Sequence, residues 1–120
     1  MGGVIRRVVP ALTGVALLLA LIHLGLSAFA WRDWNANALW FAGSGLAILL
    51  AGLINIVMLR AGAVDGTQRA VWALANLAMT AFFVLAWTVL KAPQVIAGGV
   101  VFALLCVGAL RARDARSAHV

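Results

Sequence analysis

Charge is scarce in this chain, and negative charge is scarcest: of 120 residues only 10% are charged, and the three acids are Asp33, Asp65 and Asp114. Soluble chains carry roughly 25% charged residues, so the shortage argues against a water-soluble domain. Cysteine is nearly absent too. With Cys106 alone, no internal disulfide, CxxC redox pair or cysteine zinc cage can form, which excludes the quinone-linked disulfide enzymes. The alternating pattern of a membrane β-barrel is missing. No repeat, low-complexity segment or second domain is visible.

What the chain has is length in its apolar runs. It is 66% hydrophobic with a mean hydropathy of +1.11, and the runs are apolar all round, with no polar face for water. A bilayer core of about 30 Å takes about 20 helical residues, and four runs of that order are present, at about 8–30, 38–59, 70–90 and 95–110. The expected fold is an all-α integral membrane protein, one membrane domain over 1–120, with four transmembrane helices in a bundle and a basic, mobile tail over 111–120. Pro10 is tolerated in the opening turn of the first helix. Gly62 and Gly66 suit the middle loop, and Pro93 ends the turn after Lys91. The start mimics a secretory signal, with Arg6-Arg7, an apolar run and Ala28-Phe29-Ala30. That run exceeds the h-region of about 7–15 residues and reads as a span. Arg6 stands where a myristoylation signal places Ser or Thr.

Basic residues set the orientation. Arg6, Arg7, Arg60, Arg69, Arg111, Arg113 and Arg116 fall on one side, and Arg32 and Lys91 on the other. The positive-inside rule then places both termini in the cytoplasm of a bacterial-type inner membrane, in one fixed topology. The net charge of +6 flanks the apolar runs instead of forming a patch on a soluble face, so the partner it implies is membrane lipid, not nucleic acid. Trp31, Trp34, Trp40 and Trp87 near the outer boundary, and Trp72 near the inner one, read as an interfacial belt. An aromatic box around the first turn is the functional alternative.

The second run carries the seam on which neighbours are expected to pack. Gly43, Ala47, Ala51 and Asn55 recur every fourth residue on one side, with Gly45 and Gly52 beside them, and small residues let helix backbones approach closely in lipid. A bundle this small need not bury all such faces, which points to a homo-oligomer or a subunit of a larger membrane complex.

Intramembrane polar residues are where function is sought first, and none of them here is charged. At about 1.5 Å per residue, His23 lies roughly 10 Å below the outer end of its helix, Asn55 about 6 Å and Asn76 about 10 Å from the inner boundary. Two layers follow. An inner polar clamp combines Asn55, Asn76, Thr13 and Cys106; an outer-leaflet pocket around His23 combines Ser27, Ser44 and Trp40, with Thr88 above. The stripe of the third helix is Trp72, Asn76, Thr80, Phe83 and Trp87. The outer layer is the candidate site for a small neutral or lipophilic ligand, by binding or transport. Haem is the sharpest cofactor idea: His23 would be an axial ligand, with a second His23 across a dimer or Met79 opposite, since His119 is in the tail. His23 and Ser27 share a face, but no carboxylate orients the imidazole, so catalytic residues are not assigned.

In length and four-helix layout the chain resembles the small multidrug resistance exporters, a family marked by a membrane-embedded Glu in its first helix that binds substrate and protons. The first run here has His23 and no acid, so the resemblance is one of layout. Four-helix fluoride channels share the layout as well, but their Gly-rich and paired-Phe motifs are missing, apart from Phe82-Phe83.

Overall fold

The computed structural model describes residues 2–114, with side chains from Arg7 onward. It is all-helical: α1 spans Gly2–Ala30, α2 Ala36–Ala61, α3 Gly66–Val89 and α4 Pro93–Leu110. All four are long and apolar enough to cross a membrane, and the chain is accordingly a multi-pass membrane protein. At about 1.5 Å per residue, the 18 residues of α4 measure about 27 Å, just enough for a bilayer core. The 29 residues of α1 measure about 44 Å and overreach it.

All four helices start earlier than hydropathy alone places them, three of them for reasons of capping and turn chemistry. Asn35 caps α2 by accepting from the Ala38 amide at 3.0 Å. Asp65 opens α3 with a capping box: its carboxylate accepts from Gln68 N at 2.8 Å, and the Gln68 side chain accepts from Asp65 N at 2.9 Å. Pro93 sits in the first turn of α4, where its missing N–H costs nothing. Gly62 closes α2 at φ 73°, in the left-handed region that glycine adopts without strain. Since α1 begins at Gly2, Pro10 lies inside it and not in its opening turn, where it removes one intrahelical hydrogen bond.

The helices form an up-down-up-down ring. α1 packs chiefly on α2, and α3 on α4; α1–α4 and α2–α3 contacts close the ring. The core comprises Ala16, Ala20, Ile48, Phe83, Phe102, Leu105 and their neighbours. It is widest on α4, where Val95, Gly98, Val101, Phe102, Leu105, Gly108 and Ala109 are all buried, so α4 and not α2 is the most enclosed helix.

Close approach is obtained by setting large side chains over glycines. Leu17 lies on Gly52 and Val9 on Gly108, where an added Cβ would come within 2.7 Å of each. At Gly98 a Cβ would overlap the ring of Phe83, which stacks in turn on Phe102 at 5.9 Å between centroids. The packed stripe of α2 is Ala38, Gly45, Ile48, Ala51, Gly52 and Asn55. Gly43 and Ala47 face outward, and nothing lies within 4 Å of a Cβ built on Gly43. This corrects the expected seam: only its Ala51–Asn55 end packs inside the chain.

At the end of the bundle holding the α2–α3 loop, that loop is tied to the segment after α4. Val64 N donates to Arg113 O at 3.0 Å, and the Arg69 guanidinium reaches Ala112 O at 3.0 Å and the Asp114 carboxylate at 3.2 Å. Val64 is 1% exposed beneath the core. Residues 111–114 are therefore held, contrary to the expectation of a free tail; Arg116 and His119 lie outside the described residues.

Candidate functional site

Three of the polar or concave features among the described residues lie at different depths in the bundle. The inner one joins α2 to α3. Asn55 and Asn76 are both 0% exposed and bond reciprocally: Asn55 Nδ2 donates to Asn76 Oδ1 at 2.9 Å, and Asn76 Nδ2 to Asn55 Oδ1 at 3.2 Å. Each amide also donates one turn back along its own helix, Asn55 to Ala51 O at 2.8 Å and Asn76 to Trp72 O at 2.9 Å. Trp72 completes the group, its indole Nε1–H donating to Asn55 Oδ1 at 2.7 Å. Every N–H of the two amides has an acceptor and both carbonyl oxygens have donors, which is the condition for burying such groups at low cost. The orientation of each amide is fixed independently, because flipping Asn55 would set its NH₂ against the indole N–H.

Trp72 is 4% exposed, so it belongs to this clamp and not to an interfacial belt. Its position four residues before Asn76 was the available signal, since residues at that spacing share a helix face. Thr13 and Cys106 are not in the clamp. The Thr13 hydroxyl donates to Val9 O within α1 at 2.9 Å, and Cys106 lies on Ala73 O of α3 at 3.5 Å. Thr80 Oγ1 donates to Asn76 O at 2.8 Å. The clamp is saturated from within; its geometry supplies register and leaves no group directed at a ligand.

The outer feature joins α1 to α2. His23 stacks on Phe41 with ring centroids 4.1 Å apart and planes at 18°, and Trp31 tilts onto the other side of the cluster, 5.0 Å from Phe41. His23 is half-buried, and its backbone approach to α2 is permitted by Gly45, where a Cβ would meet the His23 Cβ at 3.1 Å. Among the described residues its imidazole nitrogens take part in no hydrogen bond. Ser27 and Ser44 lie nearby, but each bonds its own helix, Ser27 Oγ to His23 O at 2.7 Å and Ser44 Oγ to Phe41 O at 2.7 Å.

Trp40 does not join this group. It is 78% exposed, because one residue is about 100° around a helix and Phe41 holds the inward position. Trp34 is 69% exposed, so the aromatic box does not close. Thr88 is exposed and bonded to Leu85 O. The residue missed from sequence was Phe41, indistinguishable there from any other apolar position of the run. Met79 is buried on α3, and no group of three His, Cys, Asp or Glu able to hold a metal ion occurs among the described residues.

The third feature is concave. Between α3 and α4, an open groove of about 440 Å³ is walled by Thr80, Phe83, Trp87, Val95, Gly99 and Ala103. It runs from the α3–α4 turn toward mid-bundle, and its wall is almost wholly hydrocarbon. The ring of Trp87, one of its wall residues, has the Lys91 ammonium 4.9 Å from its centroid, within cation–π range.

These features define the class: a four-helix, multi-pass membrane protein whose buried polar groups hold helices together. No known family, characterised protein or solved structure matches the chain.

Proposed function

We propose that this is a bacterial-type inner-membrane protein with both termini cytoplasmic, acting by association, as a homo-oligomer or as a small subunit of a larger membrane complex, without catalysis of its own. The observation that supports this is the division of α2 into two faces. Its Gly45–Gly52–Asn55 face is used up inside the bundle, whereas Gly43 and Ala47 present small side chains outward. In lipid such a surface favours a neighbouring helix, because close backbone approach gains dispersion contacts that lipid tails do not match. The orientation rests on the arginines around the α2–α3 loop and the segment after α4. A reporter active only in the cytoplasm, fused after Val120, should be active; an inactive fusion reverses the topology.

A second reading has its own support. The half-buried His23, stacked on Phe41 with its ring nitrogens unbonded among the described residues, is a recognition element for a small neutral or lipophilic ligand. Native mass spectrometry of protein released gently from its own membrane separates the two. The first reading predicts a bare oligomer that dissociates on Gly43→Leu with Ala47→Leu. A strict monomer contradicts it, and a bound mass lost on His23→Ala establishes the second.

A further inference from the structure

We propose that the α3–α4 groove is a binding site for an anionic phospholipid, taking one acyl chain along its length and the phosphate on Lys91. Three observations on the groove agree. The first is depth: along α4 it extends from Val95 to Ala103, eight residue rises or about 12 Å. One leaflet of a bilayer core of about 30 Å is about 15 Å deep, so the groove occupies the leaflet on the side of the α3–α4 turn and ends near the midplane.

The second is wall chemistry. Phe83, Val95, Gly99 and Ala103 offer hydrocarbon only, and the hydroxyl of Thr80 is already committed to Asn76 O at 2.8 Å. A polar ligand would find no partner along this wall and would lose its hydration there; an aliphatic chain loses nothing. The volume of about 440 Å³ falls in the range of ligand clefts, roughly 300–1,000 Å³.

The third is charge at one end. Lys91 is exposed on the α3–α4 turn, and its ammonium is held over Trp87, a wall residue of the groove. The π contact keeps the charge beside a wall residue of the groove and leaves N–H donors of the ammonium free for a phosphate oxygen. Trp87 adds an indole N–H that donates to no described residue, at the level where a lipid carries its ester carbonyls.

The test is competition between two lipids of identical chains. The full protein in mild detergent is exchanged with equimolar dioleoyl phosphatidylglycerol and dioleoyl phosphatidylcholine, and the lipids retained are counted by native mass spectrometry. Lys91→Ala, on an exposed turn where folding is not at stake, should lower the phosphatidylglycerol-to-phosphatidylcholine ratio about fivefold, the effect of one basic residue near a charged surface. Lys91→Arg should restore it. Ala103→Phe, which fills the groove, should reduce retention of both lipids. A ratio unchanged by Lys91→Ala overturns the proposal and moves the preference to the arginines at the opposite end. Undiminished lipid retention in a folded Ala103→Phe protein also overturns it.

Discussion

Asn55 does more in the buried clamp than Asn76, although the two look equivalent as polar residues in apolar runs. Its carbonyl accepts from both the Trp72 indole and the Asn76 amide, so replacing Asn55 by Leu leaves the Trp72 N–H, one Asn76 N–H and Asn76 Oδ1 without partners. Replacing Asn76 by Leu leaves one Asn55 N–H alone, since Trp72 still reaches Asn55 Oδ1 and Ala51 O still accepts. An orphaned buried group costs about 1–3 kcal/mol, whereas interhelical hydrogen bonds in membranes average only about 0.6 kcal/mol when alternatives exist. Asn55→Leu should therefore destabilise by roughly 1–3 kcal/mol, Asn76→Leu by less, and the double variant by less than the sum. Detergent-titrated unfolding of the three variants checks the order; a larger cost at Asn76 contradicts it. The amide pair itself was readable in sequence, because polar residues in apolar runs at similar depth must find each other. Trp72 was not, because a Trp one turn inside a boundary suits a belt as well as a clamp, and only the packing of α2 on α3 decides.

At the scale of a helix, the glycines divide by what faces them. Gly98 accommodates the Phe83 ring, which is itself wedged against Phe102, so neither can retreat. Gly14 on α1 is exposed with nothing within 4 Å of an added Cβ. Gly98→Ala should cost about 1–3 kcal/mol through overpacking. Gly14→Ala should be neutral or stabilise by up to about 1 kcal/mol, since Ala is the better helix former. Equal effects in thermal unfolding would contradict the α3–α4 packing. Hydropathy made the four helices legible, because only helices satisfy their own backbones in lipid. Their ends were less so, since the Asn35 cap and the Asp65–Gln68 box are polar signals outside the apolar runs, and Pro10 marks an opening turn only if the helix begins there.

For the whole molecule, the ring of four helices satisfies the Asn55–Asn76–Trp72 clamp from within and leaves its periphery apolar. Leu46, Leu50 and Leu53 of α2 are about half exposed, beside the outward Gly43 and Ala47. Periodicity found small residues at fourfold spacing but not which of the adjacent stripes faces inward. Gly43 and Gly45 lie only two residues apart, and the choice between their stripes depends on where Leu17 and His23 of α1 come to rest. That ambiguity is physical: with no water to repel apolar side chains, either stripe is compatible with lipid.

In the proposed assembly the outward Gly43–Ala47 face of α2 meets another helix. Disulfide cross-linking in native membranes tests it most directly, in a Cys106→Ala background with single cysteines at Ala47 on α2 and at Val84 on the outer surface of α3. Ala47→Cys should give a rapid disulfide-linked dimer, or a linked complex where a partner subunit carries a cysteine at the contact, and Val84→Cys little of either. Cross-linking that is absent at Ala47, or equal at both positions, would contradict it.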